Sequence, residues 1–195
     1  MLGDVLRAQG DLSGALEAYE ELLKIAERLA AADPGNAGWQ RDLAVSHIKR
    51  GDVLVGQGEL ATAQAAYGSA LEILECLATT APEDATAQQA LAVSHDKLGD
   101  VLRAQGDLSA ARQHCEAGLE TVEQWAAADP GSRAAQRELM VGHDKLGKVL
   151  RAQGDFGAAL GQVALRSSGK STVGVEREPM HQARLNLAAR RGSCP

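Results

Sequence analysis

The sequence is poor in the aromatic side chains that dominate most protein cores. Only two Trp, two Tyr and one Phe occur among 195 residues, although hydrophobic residues make up 45% of the chain. Burial must therefore come from Ala, Leu and Val packed at close range, and such a composition suits close-packed helices. The length allows one domain of ordinary size.

The chain also lacks an excess of basic residues and any long apolar run. Its 20 Lys and Arg face 26 Asp and Glu, for a net charge of -6. This balance argues against a nucleic-acid partner, because phosphate binding rests on an excess of cations. No stretch approaches the roughly 20 apolar residues that span a bilayer, and no leader pattern opens the chain. We therefore expect a cytoplasmic protein with no membrane partner, and the abundance of Arg and Ala suggests a bacterial source.

An internal repeat is the main feature of the sequence. The segment from Leu2 to Ser13 recurs unchanged at 98–109, and glycines and prolines recur at half that offset, which gives a period of 48 residues. Within each period, apolar residues follow three- and four-residue steps in two stretches, as on the buried faces of two helices. A glycine such as Gly58 separates the two stretches, and a proline such as Pro82 follows the second. Each unit is thus predicted to be a helical hairpin.

The repeat predicts the helix boundaries and the domain organisation. A short helix should end near Gln9, and the others should cover 12–31, 36–57, 60–79, 84–105, 108–127 and 132–153, with a last one starting near Phe156. The repeat array is expected over residues 1–160, with units of about 1–38, 39–86, 87–134 and 135–165.

The remainder, 161–195, is expected to be a degenerate or disordered basic tail. It carries a net charge of +4, against -10 for the repeats. Leu187 and Ala188 fall 48 residues beyond Leu139 and Met140, so a decayed further unit is one explanation of the tail. A shifted reading frame is another.

The spacing of small and bulky residues resembles that of the tetratricopeptide repeat. The residues that carry the resemblance in one unit are His47, Arg50, Gly51, Leu54, Gly58, Ala63, Tyr67 and Ala70. The period of 48 rather than the usual 34 is similar to the long-helix variants of the family, such as kinesin-light-chain-like bacterial proteins. The resemblance implies an all-α fold, a right-handed solenoid of about three and a half antiparallel hairpins. A HEAT or armadillo array is the structural alternative, although it would not require the paired Gly and Ala.

The resemblance also implies a protein-interaction scaffold whose first helices line a concave side and bind a peptide or partner helix. The candidate contact residues are Val45, Ile48, Asp52, Val55, Val93, Asp96, Asp100, Arg103, Val141, Asp144, Lys148 and Arg151. The acidic members favour a basic or mixed-charge ligand. Alternatively, they only solvate this face and pair with Arg103 and Lys148 at helical spacing.

Candidate catalytic, metal and cofactor sites find little support. His47, His95 and His143 recur at the repeat period, and successive hairpins would hold them too far apart to share one ion. Ala164 to Ser171 resembles a relaxed phosphate-binding loop, but it lacks the strand and sheet that such a loop needs. We expect no enzyme, metal or cofactor, and nucleotide binding at Lys170 is the rival hypothesis.

Neither end of the array has an evident cap. The chain enters the repeat in the middle of a first helix, and the pattern fades after residue 160. Solenoids need polar caps at their ends. We therefore expect either a piece of a longer array or self-association through the ends. The alternative function is accordingly a self-associating structural fragment of a larger bacterial signalling or scaffold protein.

Overall fold

The computed structural model describes residues 1–168, which form eight α-helices and no β-strand. The helices are α1 (Leu2–Ala8), α2 (Leu12–Ala32), α3 (Ala37–Gly56), α4 (Leu60–Thr80), α5 (Ala85–Gln105), α6 (Leu108–Ala128), α7 (Arg133–Ala152) and α8 (Phe156–Ser168). The predicted all-α fold and its helical hairpins are confirmed. Lys170, Leu187, Ala188 and the rest of the chain after residue 168 lie outside the described residues.

The helices pack in chain order as a row of hairpins. Each helix contacts the next one along the chain, α3 also contacts α5, and α5 also contacts α7. We call α1, α3, α5 and α7 the first helices and α2, α4, α6 and α8 the second helices. The first helices therefore lie side by side along one surface. The helix α8 continues to Ser168, past the predicted end of the array at residue 160, and the extent of the tail stays a prediction.

The turn within each hairpin depends on a glycine. Gly10, Gly58, Gly106 and Gly154 all have φ between +81° and +88°, a conformation that glycine adopts without steric cost. The next helix starts two residues later, and the Asp11 side chain accepts a hydrogen bond from the Gly14 N–H at the start of α2. The repeat of glycine and acidic residue thus fixes where each hairpin turns.

The two helices of a hairpin approach closely at a second glycine. A methyl group placed on Gly51 would lie 2.6 Å from the Tyr67 ring, and one on Gly3 would lie 2.7 Å from the Tyr19 ring. In the third hairpin, the Cys115 Sγ would lie 2.7 Å from a methyl group on Gly99. Only glycine therefore fits at these three positions without a shift of the facing side chain.

The last described hairpin is packed differently at the same position. A methyl group on Gly147 would meet only ordinary van der Waals neighbours, and the nearest is the Gln162 Cβ at 3.6 Å. Val163 occupies the position of Tyr19 and Tyr67, and it is exposed. The seam between α7 and α8 is therefore not filled by a ring, unlike the seams of the first two hairpins.

Candidate partner-binding surface

The twelve predicted contact residues lie on three neighbouring first helices. Val45, Ile48, Asp52 and Val55 lie on α3, their equivalents Val93, Asp96, Asp100 and Arg103 lie on α5, and Val141, Asp144, Lys148 and Arg151 lie on α7. Because α5 contacts both α3 and α7, the three groups form adjacent rows. Their individual environments differ widely.

Asp52 is held inside the array rather than presented to solvent. Its carboxylate accepts hydrogen bonds from the Tyr67 hydroxyl at 2.7 Å and from Lys97 Nζ at 2.7 Å. A third donor, the Arg7 guanidinium, lies 3.4 Å away, and the Asp52 side chain is only 15% exposed. Three donors from three helices occupy this carboxylate, so Asp52 joins neighbouring hairpins and has little capacity left for a ligand.

The same arrangement recurs at the other hairpin boundaries. Asp4 accepts hydrogen bonds from the Tyr19 hydroxyl at 2.7 Å and from Lys49 Nζ at 2.8 Å. The hydrogen bond from Lys49 lowers the Asp4 pKa to about 2, and burial raises the Tyr19 pKa to about 12. We call this Asp of one hairpin with the Lys of the next the boundary pair.

The third boundary keeps the pair but loses the hydroxyl. Asp100 pairs with Lys145 of the next first helix, and it also lies 3.7 Å from Arg103 on its own helix. Cys115 stands where Tyr19 and Tyr67 stand, and burial raises the pKa of its thiol to about 12. The boundary pairs were not predicted from the sequence. The sequence does contain a signal for them, because Asp and Lys recur 45 residues apart three times.

In the last described hairpin, Lys148 replaces the acidic residue of the boundary pair with a cation. It occupies the position of Asp4, Asp52 and Asp100, and its Nζ lies 2.7 Å from the Asp144 carboxylate one turn earlier. The Arg166 guanidinium of α8 lies 2.8 Å from the same carboxylate. The Lys148 hydrogen bond is the main cause that lowers the Asp144 pKa. The alternative pairing that the sequence offered, Asp100 with Arg103 and Asp144 with Lys148, is present.

One position of the repeat holds Ile48 on α3, Asp96 on α5 and Asp144 on α7, and the surroundings of these residues differ. Ile48 is buried in the core between the second and third hairpins. Asp96 takes its place one unit later, and burial raises the Asp96 pKa to about 7, although Lys145 opposes the shift. Ile48 therefore contributes to packing, and Asp96 places a polar group where the preceding unit has an apolar one.

The accessible part of the predicted set is apolar and cationic. Val55 and the side chain of Arg103 are each about two-fifths exposed, and Lys148 and Arg151 are exposed as well. Val45, Val93 and Val141 are half-buried at equivalent positions of the three helices. A ligand on this surface would meet valines beside cations rather than free carboxylates.

The repeated histidines fill the seam of each hairpin. His95 Nδ1 lies 3.1 Å from His114 Nδ1, and His143 Nδ1 lies 2.7 Å from Gln162 Oε1 at the equivalent position. In the second hairpin, Ala66 occupies that position and has no polar group, so His47 Nδ1 has no partner. Burial lowers the pKa of His47.

Metal and phosphate chemistry gain no support from the described residues. Within 1–168, no group of three or more His, Cys, Asp or Glu could hold a metal ion. The first part of the predicted phosphate-binding segment, 164–168, is the end of α8 rather than a loop, and Lys170 lies outside the described residues. None of the described helices is both long and apolar enough to span a membrane.

Comparison with known proteins gives a match to a family model and a solved structure of similar fold. Residues 1–34 match the model of the tetratricopeptide repeat family. The solved structure of BtubC (BKLC) from P. vanneervenii is similar, with a TM-score of 0.64 and 18% identity, over 100% of this chain and 63% of that chain. The chain therefore spans less than two thirds of the length of BtubC.

The remaining comparisons add little. A crystal structure of MamA matches over 87% of this chain and 94% of that chain at 20% identity, but its TM-score of 0.28 carries no argument about the fold. No curated protein matches the sequence. The chain thus matches the tetratricopeptide repeat family at residues 1–34, and through Ser168 it forms an array of helical hairpins whose fold is similar to that of BtubC.

Proposed function

We propose that the chain is a protein-interaction scaffold that binds a peptide or partner helix on the surface of its first helices. Repeat arrays of this kind expose extended concave surfaces that serve for binding. The first helices lie side by side here, and α3, α5 and α7 each present a half-buried valine at the same position. This row of equivalent apolar residues, Val45, Val93 and Val141, is the observation that supports the proposal most.

The ligand that fits this surface has mixed charge rather than a basic excess. Asp52 and Asp100 are already paired with Lys97 and Lys145, so a basic ligand would have to displace these cations. Exposed Arg103 and Arg151 offer donors for acidic groups beside the valines. A peptide that alternates apolar and acidic side chains with some basic ones therefore matches the surface better.

A double substitution that changes both charge and shape tests this proposal and leaves the boundary pairs intact. Val55→Glu combined with Arg103→Glu changes an exposed apolar group and an exposed cation on α3 and α5. We expect a partner captured by the intact chain to be lost by this variant. Ile25→Glu with Arg28→Glu is the matched control, because it makes the same kind of change on the second helix α2.

The position of the partner can be read directly by photo-crosslinking. A crosslinking residue at Val55 should attach to the captured partner, and one at the exposed Glu72 of α4 should not. Equal attachment from both positions, or equal loss of capture in both double variants, would remove the first-helix surface as the binding site.

Self-association through the ends is the second candidate function. The exposed Leu2 and Val5 of α1 and the exposed Phe156 and Leu160 of α8 provide an apolar patch at each end of the described array. Sedimentation equilibrium over a wide concentration range tests it. A mass that rises with concentration and returns to that of one chain in Val5→Glu would support association through α1, whereas a constant single-chain mass would exclude it.

The family type gives no reason to assign catalysis, since tetratricopeptide arrays act as binding scaffolds. The rival nucleotide-binding hypothesis predicts ATP binding that is lost in Lys170→Ala. Absence of ATP binding by the intact chain would remove that hypothesis.

A further inference from the structure

The last described hairpin carries an open groove of about 370 Å³ between α7 and α8. Its apolar wall is formed by Phe156, Leu160 and Val163, which are 66%, 70% and 59% exposed. Its polar rim is formed by Asp144, Lys148, Arg151 and Arg166. We call these seven residues the end groove. Three large apolar side chains exposed in one row are unusual for a protein surface.

The equivalent face of the first hairpin shows what shape of partner the end groove accepts. Leu12, Leu16 and Tyr19 of α2 are the residues 144 positions before Phe156, Leu160 and Val163. Within the array, α3 covers this face. Val53 packs against Tyr19 in one apolar cluster, and a methyl group on Gly56 would lie 3.3 Å from a Leu12 methyl group. The end groove is therefore shaped to receive one α-helix.

The boundary contacts also give the sequence pattern of such a helix. An incoming first helix places a Lys at one position, as Lys49 and Lys97 show. Three residues later, Asp52 faces Arg7 of the preceding hairpin. One residue after that, a buried valine follows, as Val53 and Val101 show. The contacts thus follow helical spacing along one face of the incoming helix.

The charge at the end groove is opposite to that at the inner boundaries. Lys148 occupies the position of Asp52, which accepts a hydrogen bond from Lys97. At the end groove, a Lys on an incoming helix would therefore be repelled and a Glu attracted. Arg151 occupies the position of Arg7, which pairs with Asp52 of the next first helix. An acidic residue three positions after the first acidic residue of the incoming helix would therefore pair with Arg151. Arg166 adds a third cation, and Asp144 is the one carboxylate of the rim.

We propose that the end groove binds an acidic amphipathic helix of a partner protein, with Glu or Asp facing Lys148 and Arg151 and an apolar residue facing Val163. The helix takes the place that a further first helix takes inside the array, but with reversed charge. This site is additional to the proposed first-helix surface and shares only Asp144, Lys148 and Arg151 with it. Its failure would leave binding at Val55 and Arg103 untouched.

Charge disfavours the two other occupants. The sequence after residue 168 has five basic and two acidic residues, so it would bring further cations to a cationic rim. In a second copy of this chain, α1 would bring Met1 to the Lys position and would offer Lys148 no carboxylate there. An acidic partner helix is the occupant whose charges complement the rim.

Two peptides that differ at one residue test the proposal on the full chain. The first is the α5 sequence, Ala85–Gln105, and the second is the same peptide with Lys97→Glu. Both keep Asp100 and Val101 at the positions expected to face Arg151 and Val163. We expect the Glu peptide to bind about tenfold more tightly in fluorescence anisotropy, since one favourable ion pair replaces a like-charge contact.

Two variants and one control locate the binding. Lys148→Asp restores the charge of the inner boundaries, so it should reverse the preference and favour the native Lys97 peptide. Leu160→Glu should weaken both peptides about tenfold, because it places a charge in the apolar wall. Arg28→Glu removes an exposed cation from α2 at the far end of the array and should leave both affinities unchanged. Circular dichroism checks that each variant stays helical.

Three results would overturn the proposal. Equal affinity for the two peptides, or a preference that Lys148→Asp does not change, would show that the rim charges do not select the ligand. No binding of the Glu peptide to the full chain would show that the groove is occupied or unsuited to a helix. A groove variant that changes the mass in sedimentation equilibrium would assign the groove to a second copy instead.

Discussion

The inner boundaries of the array and the end groove are built from equivalent positions with opposite outcomes. At the boundary between the second and third hairpins, Tyr67 fills the seam, its hydroxyl binds Asp52, and Lys97 of the next hairpin completes the contact. At the end groove, Val163 and Lys148 stand at the positions of Tyr67 and Asp52, and the apolar wall is exposed. The end groove thus differs from a closed boundary both in the residue at the seam and in the sign of the charge beside it.

Removal of the side chain at the seam should lower the free energy of unfolding far more at an inner boundary than at the end groove. Tyr67→Ala deletes a fully buried ring and leaves the Asp52 contact incomplete, so we expect a loss of about 3–5 kcal/mol in the free energy of unfolding. Val163→Ala, the equivalent change at the end groove, should cost less than about 0.5 kcal/mol because Val163 is exposed. Urea denaturation followed by circular dichroism measures both. Similar losses would mean that the last seam is closed like the others.

Acidity should affect Asp96 and Asp144 in opposite directions. The folded-state pKa of Asp96 is about 7, above its ordinary 3.8. Folding therefore favours the protonated carboxyl, and this residue lowers the unfolding free energy as pH rises from about 4 to 7, by at most about 1.4 kcal/mol per pH unit. Asp96→Asn should remove that slope in urea denaturation series at several pH values.

Asp144 is the matched comparison, because it stands at the same position of the next unit. Its pKa is lowered, so its contribution is present above the ordinary pKa of 3.8 and is lost as pH falls below that value. Asp144→Asn should therefore lower stability at neutral pH and make little difference at the acid end, where the contribution is already lost. An unchanged slope in Asp96→Asn would contradict the burial of that carboxyl between the first helices.

A methyl group added at the seam glycine should destabilise the second hairpin but stabilise the last described one. Gly51→Ala forces the Tyr67 ring to move and should cost about 1–3 kcal/mol. Gly147→Ala meets only ordinary contacts and should stabilise α7 by about 0.5–1 kcal/mol, because alanine favours the helix. Thermal denaturation of the two variants in parallel provides the measurement, and a gain in both would mean that Tyr67 does not pack against Gly51.

The boundary pair should contribute less than the seam but more than a surface ion pair. Lys97→Met leaves Asp52 with the Tyr67 hydroxyl and the more distant Arg7, so we expect a loss of about 1 kcal/mol. Lys24→Met removes an equally short pair with Glu21 on the exposed face of α2, and no measurable change should follow. A double-mutant cycle with Asp52→Asn checks that the effect belongs to the pair.

The sequence was sufficient to predict the helices but not the contacts between hairpins. The period of 48 and its glycines placed the helices within about two residues of their bounds, since hydrophobic spacing and turn glycines are local signals. The network around Asp52 was missed, because its partners come from three helices that are far apart in the sequence.

The predicted surface shows the same limit. Ile48, Asp52 and Asp96 were expected to face a ligand, because helical spacing indicates which residues share a face. Spacing alone does not show whether a neighbouring helix covers that face, and Ile48 is buried in this way. For the same reason, the sequence did not reveal that Phe156, Leu160 and Val163 form an open groove.

Hydrogen exchange of the full chain, alone and with the Lys97→Glu peptide of α5, tests the difference between closed boundaries and open end most directly. We predict slow exchange in α3, α4 and α5 that the peptide does not change, together with faster exchange in α8 that the peptide slows. Exchange in α8 as slow as in α4 without peptide, or slowing by the peptide in α3 to α5 instead, would contradict the account.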